Sequence, residues 1–163
     1  MRTASDPIVR AEAAGVPHGE VPTASSEPRR PERPDVVSAA LGVPVAYPGL
    51  PSHPDHALLD KLRHPDYGHG GLLTIDAGSE EKAMALMNTL QNDHQFGYVA
   101  VSLGYFDTLM SCSATSTSSE MPEDALQAAA ISPGLVRMAV GYTGTLEQRW
   151  AQLSAGLHAT VLA

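Results

Sequence analysis

Gly70-Gly71-Leu72-Leu73-Thr74-Ile75-Asp76-Ala77-Gly78-Ser79-Glu80-Glu81-Lys82-Ala83-Met84-Ala85-Leu86-Met87-Asn88-Thr89-Leu90 is the stretch on which the fold turns. Its opening has glycine boundaries and an apolar, β-branched centre, which predicts a strand over Gly71 to Asp76. A helix follows. Ser79 is a good N-cap, Glu80 and Glu81 put negative charge in the first turn, and Ala83, Met84, Leu86, Met87 and Leu90 recur at helical spacing. Those methionines read as core, not as a ligand site.

Toward the C-terminus, Tyr98-Val99-Ala100-Val101-Ser102 reads as a second strand and Leu135 to Val140 as a third. In the third, Val136, Met138 and Val140 share one face, so Arg137 projects from the other. Thr145 with Gln148 three residues on is a capping-box pattern, and Leu146, Trp150, Leu153 and Leu157 form the apolar side of a last helix. Alternating strand and helix signals predict an α/β or α+β fold.

Toward the N-terminus the signals weaken. Residues 36–69 read as an ordered connector, because the prolines of Tyr47-Pro48-Gly49-Leu50-Pro51-Ser52-His53-Pro54 exclude a regular helix or central strand. Within it Asp55 to Arg63 predicts a brief helix, ending before His64-Pro65. Residues 1–35 combine Pro7, Pro17, Pro22, Pro28, Pro31 and Pro34 with charges and few large apolar residues, and read as a disordered tail. The division expected is therefore a tail over 1–35, a connector over 36–69 and one compact domain over 70–163.

Composition excludes several functions. With 18 acidic and 10 basic residues and a net charge of −8, the chain has no basic stripe for nucleic acid. Neither a signal peptide nor a spanning segment is legible, so no membrane role is expected and a soluble protein is read. Cys112 is the only cysteine, compatible with a reducing compartment, and the cytoplasm is the default.

Few residues invite chemistry. His53, His56, His64 and His69 cluster in the connector, but without cysteines or a rigid spacing they read as surface histidines, and no metal site is assigned. Ser111 to Ser119 reads as a polar loop, and Cys112 has no evident base to make it a nucleophile. Arg137 is the informative residue. Amid Leu135, Val136, Met138 and Val140 it must snorkel, pair with an acid, or face a cleft where its planar fork holds a carboxylate. Pattern alone puts the ion pair ahead.

In order along the chain, Tyr47 to Pro54, Gly70-Gly71-Leu72-Leu73, Val101-Ser102-Leu103-Gly104 and Gly134-Leu135-Val136-Arg137-Met138-Ala139-Val140-Gly141 resemble successive signatures of the Cys/Met-metabolism (trans-sulfuration) enzymes. That family, dependent on pyridoxal phosphate, includes cystathionine γ-synthase, the cystathionine lyases and methionine γ-lyase. The resemblance runs from about residue 36 onward. It implies the small C-terminal domain of a fold-type I enzyme, a mostly antiparallel sheet with helices on one side. It also reverses the reading of Arg137, which falls at the arginine that grips the substrate α-carboxylate, with Ser102 at the serine beside it.

The resemblance implies pyridoxal phosphate as cofactor, and a sulfur-containing amino acid as substrate. The chemistry needs a lysine for the Schiff base. Lys61 and Lys82 are the only lysines, and neither lies in a context like the family's cofactor site. No catalytic or cofactor-binding residue is therefore assigned. The expectation is a fragment or split part of such an enzyme, inactive alone, its partner either a separately encoded cofactor domain or a second copy; the alternative is a non-catalytic amino-acid-binding or interaction module. Cys112-Ser113 and Ser118 stand where the family commonly has His-Pro and a histidine, and Gly141-Tyr142-Thr143 lacks a usual acid. These departures leave β- against γ-specificity open, with a lean toward a methionine γ-lyase-like C–S lyase.

Overall fold

The computed structural model describes residues 41–116 and 119–163. The tail expected over 1–35 lies outside the described residues. Five strands form one sheet, in the order β1-β2-β5-β4-β3: β1 Val45–Ala46, β2 Leu72–Asp76, β3 Gly97–Val99, β4 Thr108–Cys112 and β5 Leu135–Ala139. Only β3 with β4 is parallel. The mixed α/β class is as the alternating signals predict, and the mostly antiparallel sheet as the family resemblance implies.

Four described helices accompany the strands: α1 His56–Leu62, α2 Glu80–Asn92, α3 Glu123–Ala128 and α4 Leu146–Thr160. Helix α2 starts where its cap residue dictates, with Ser79 Oγ accepting from the Lys82 amide. It buries Ala83, Leu86, Met87 and Leu90, whereas Met84 is exposed at the edge of the stripe. Thr145 likewise caps α4 by accepting from the Gln148 amide. Leu157 is buried with Trp150 and Leu153 packed behind it, while Leu146 faces solvent.

The core lies between the sheet and these two helices. Ile75, Val136, Met138, Met110 and Cys112 come from one face of the strands and meet Leu86, Met87 and Leu90 of α2. This face excludes water through apolar burial, the main favourable contribution to folding. The other face carries Thr74, Arg137, Ser111 and Leu109 in register across β2, β5 and β4. Among the described residues no helix packs extensively on it.

The strand expected over Tyr98–Ser102 is shorter and earlier, at Gly97–Val99. The Ala100 amide still donates to Met110, but the chain then leaves the sheet, so Ser102 lies in a crossing segment. Ser111 and Cys112, read as part of a polar loop, belong instead to β4, whose five residues are all buried. Burial on both faces removes the apolar/polar alternation that marks a half-exposed strand, so β4 carries no periodic signal. The strand at Leu135 stops at Ala139, leaving Val140 exposed.

The connector is more built than its prolines suggest. Val43, Tyr47 and Leu50 are buried, β1 pairs with β2 at the sheet edge, and Tyr47 Oη donates to the Gly70 carbonyl at 2.9 Å. An edge position fits a strand that begins directly after Pro44.

Candidate functional site

Arg137 lies on β5 with Thr74 of β2 and Ser111 of β4 as its cross-strand partners, on the face away from α2. Its Nη2 donates to the Ser102 main-chain carbonyl at 3.3 Å. Among the described residues no carboxylate pairs with it, and its Nε is buried without a partner. The ion pair that pattern alone ranks first is therefore absent among the described residues. The two sequence-derived site residues do come together, although Ser102 meets the guanidinium through its carbonyl.

Beside this pair lies an open cleft of about 490 Å³, lined by Tyr98, Ala100, Ser102, Leu103, Gly104, Tyr105 and Leu109. Its wall is the crossing segment from Ala100 to Phe106. Val101, Leu103, Tyr105 and Phe106 expose large apolar surface there, and Tyr142 stands out farther still. Clustered exposure of this kind marks a surface that another surface covers.

A polar knot, unforeseen from the sequence, fixes the far end of that wall. Arg149, in the first turn of α4, pairs through Nη2 with Asp107 Oδ1 at 2.6 Å, both side chains being 16% exposed. It also donates to the carbonyls of Thr143 (2.8 Å), Phe96 (2.7 Å) and Gln95 (3.2 Å), to Thr143 Oγ1, and stacks over the Phe96 ring. Thr143 Oγ1 in turn donates to Asp107. A cation at a helix N-terminus, where the dipole disfavours it, was the one legible sign that Arg149 had a tertiary partner. Gly141 sits against the same loop: a Cβ there would lie 2.5 Å from the Phe106 carbonyl oxygen.

The histidines do not converge with Arg137. His69 stacks on His56 at 5.2 Å and approaches Asp60 at 3.4 Å, while His56 Nδ1 donates to the Pro48 carbonyl. No group of three metal-binding side chains occurs among the described residues. Asp60 is held below its ordinary value, first by the hydrogen bond from Arg63 and then by that residue's charge. A carboxylate depressed in this way stabilises above its unfolded pKa and loses that contribution as pH falls through its folded pKa. Acidification is therefore expected to free Arg63 from Asp60 at a pH below that at which an unpaired aspartate protonates. The Arg63 Nε–H resonance followed against pH checks this, and Asp60→Asn should abolish the transition. Cys112 is buried, with its Sγ against the Pro133 carbonyl.

An antiparallel-rich layer with helices on one face and an arginine on the other is shared with the small domain of solved fold-type I pyridoxal-phosphate enzymes. The chain belongs to the Cys/Met metabolism PLP-dependent enzyme family, which residues 42–157 match. Over 112 residues, 69% of the chain and 25% of the relative, it is 62% identical to a methionine γ-lyase from Arabidopsis thaliana. Over 95 residues, 58% of the chain and 23% of the relative, it is 34% identical to a cystathionine γ-lyase from Bacillus subtilis. The crystal structure of cystathionine γ-synthase from Xanthomonas oryzae pv. oryzae, in complex with cystathionine, superposes with a TM-score of 0.63 at 30% identity, covering 78% of this chain and 33% of that one. The chain thus spans about a quarter of the length of the curated relatives it matches.

The family's cofactor does not fit the residues described here. A Campylobacter jejuni structure of the same fold (TM-score 0.64, 26% identity, covering 76% of this chain and 29% of that one) carries N′-pyridoxyl-lysine-5′-monophosphate, a lysine-linked cofactor. In this chain Lys82 Nζ donates to the Val161 carbonyl at the C-terminus of α4, on the helix-covered side of the sheet. Lys61 is exposed on α1, a helix that buries no residue. Lys82 therefore does not share the open face with Arg137. No helix among the described residues is long and apolar enough to cross a membrane.

Proposed function

We propose that this chain contributes the carboxylate-anchoring side of the substrate site of a trans-sulfuration enzyme, with Arg137 and Ser102 as its substrate-binding residues. The observation that carries the reading is an arginine on the open sheet face with no carboxylate partner among the described residues, bordered by the exposed crossing segment. A guanidinium so placed has a free edge for an α-carboxylate, and a fixed anchor of this kind orients the rest of an amino acid. Ser102 orients that fork through its carbonyl and borders the bound ligand.

The substrate class is a sulfur-containing amino acid, with L-methionine the representative suggested by the likeness to methionine γ-lyase. The cofactor's lysine lies in another part of the assembly, and the 163 residues are inactive by themselves. The apolar wall beside Arg137 is the surface on which a cofactor-bearing domain rests, supplied by a second polypeptide or by association of copies.

The test uses the purified chain. L-Methionine should bind, and L-methioninol, which keeps the amine and thioether but lacks the carboxylate, should not. Arg137→Ala should weaken methionine binding by about tenfold to a hundredfold, the range for losing a charged hydrogen-bonded contact. Borohydride reduction after incubation with pyridoxal phosphate should leave Lys61 and Lys82 without specific label. Equal binding by Arg137→Ala would reject the anchor, and stoichiometric labelling of either lysine would reject inactivity. Carboxylate binding without any acceptance of a cofactor-bearing domain would favour a non-catalytic amino-acid-binding module.

A further inference from the structure

Two buried polar atoms on the open face have no partner among the described residues, and they belong to residues directly opposite one another. Ser111 of β4 pairs in register with Arg137 of β5; Ser111 is 3% exposed, its Oγ bonds to nothing, and neither does Arg137 Nε. Opposed residues of an antiparallel pair hold their Cβ atoms about 4.5–5.5 Å apart on the same face. A buried hydroxyl or N–H left unmade is costly, so such orphans in a folded protein call for an explanation.

We propose that Ser111 is a positioning residue for Arg137: a rotation about the Ser111 Cα–Cβ bond brings its hydroxyl, unbonded in this structure, to accept the Arg137 Nε–H, and that contact fixes the plane of the guanidinium that holds the ligand carboxylate. The chemistry is complementary. Arg137 Nε is a donor only, and a serine hydroxyl rotates about one torsion to present a lone pair. With Nη2 on the Ser102 carbonyl and Nε on Ser111, two corners of the planar fork are pinned. Three of the five guanidinium N–H groups, two on Nη1 and one on Nη2, then remain for a ligand carboxylate.

Thr74, the partner on the other side, is partly exposed and its hydroxyl is not among the buried unpartnered atoms. Ser111 is therefore the residue whose own burial needs the contact.

The inference rests on the carboxylate-anchor reading, and the experiment separates the two. In ¹⁵N-labelled full chain, the Arg137 Nε–H resonance is assigned by its disappearance in Arg137→Lys, and its exchange with solvent is measured in the wild type, Ser111→Ala, Ser111→Thr and Thr74→Ala. Ser111→Ala should speed Nε–H exchange about tenfold, the factor expected for losing one neutral hydrogen bond. Ser111→Thr, which keeps the hydroxyl on a β-branched residue suited to a strand, should restore protection. Ser111→Ala should also weaken L-methionine binding about fivefold to tenfold, because the guanidinium loses the contact that fixes its plane. A purely structural serine would instead leave both the Nε–H exchange rate and methionine binding alone.

Unchanged Nε–H exchange in Ser111→Ala, or the loss appearing in Thr74→Ala instead, overturns the inference. If exchange responds as expected while Arg137→Ala binds methionine normally, the contact stands and the carboxylate-anchor reading falls.

Discussion

Arg149→Ala is expected to lower the unfolding free energy by about 3 kcal/mol, the low end of the range for removing one partner of a buried ion pair. The size follows from what the substitution strands. Asp107 keeps its charge at 16% exposure with only the Thr108 amide and the Thr143 hydroxyl to satisfy it. The carbonyls of Thr143, Gln95 and Phe96 lose their donor together. Thermal unfolding should show Tm lower by about 10 °C, from the usual conversion for a domain of this size. Because Asp107 ends the crossing segment, hydrogen exchange over Ser102 to Phe106 should rise while the α2 amides stay protected. The double variant Asp107→Leu/Arg149→Met should recover much of the loss, since replacing a buried pair by apolar residues is often near neutral. A Tm within 2 °C of wild type, roughly the effect of half a kilocalorie, would show the knot to be incidental.

Gly97→Ala should have a comparable effect for a different reason. The Cβ it introduces would meet the Thr108 main chain and side chain, lying 2.9 Å from the carbonyl carbon and 2.8 Å from Cβ, with the carbonyl oxygen nearer still. Backbone cannot swing aside as the end of a side chain can, so the parallel β3–β4 pairing must shift. Overpacking of this kind costs about 1–3 kcal/mol where side chains absorb it, and more where a strand must move. Loss of about 3 kcal/mol is expected, together with loss of exchange protection at Val99 and Ala100, whose amides donate to Gln91 and Met110. Tyr98→Ala, one residue on and half exposed, should cost less than about 1 kcal/mol in the same denaturation experiment. Equal stability of Gly97→Ala and the wild type would mean that β3 is held loosely enough to accommodate a methyl group, and the cleft wall with it.

Both residues bear on how the site is kept in shape. Gly97 starts the strand that leads into the crossing segment, and Arg149 holds the end of it. Between them Ser102 reaches Arg137 from a segment that is itself outside the sheet. The carboxylate anchor is thus built from one residue on a rigid strand and one on a segment secured at both ends, an arrangement that limits its freedom without covering the cleft.

The elements whose signals are local were legible from residue types. Ser79 and Thr145 cap their helices because a side-chain oxygen a few bonds from the amide needs no distant partner. Leu72 to Asp76 and Leu135 to Ala139 alternate because one face is packed and the other is not, which also set Arg137 on the open side. The four motifs carried the family. What only tertiary structure decided was β4, whose burial from both sides erases periodicity, and the departure of Ser102 from the strand. The same holds for Arg149 with Asp107, separated by 42 positions, and for Ser111 opposite Arg137, separated by 26. Spacing along a chain encodes what a helix turn or a pleat repeats. Which strand lies beside which, and hence which hydroxyl meets which guanidinium, is settled only when the sheet order β1-β2-β5-β4-β3 brings them together.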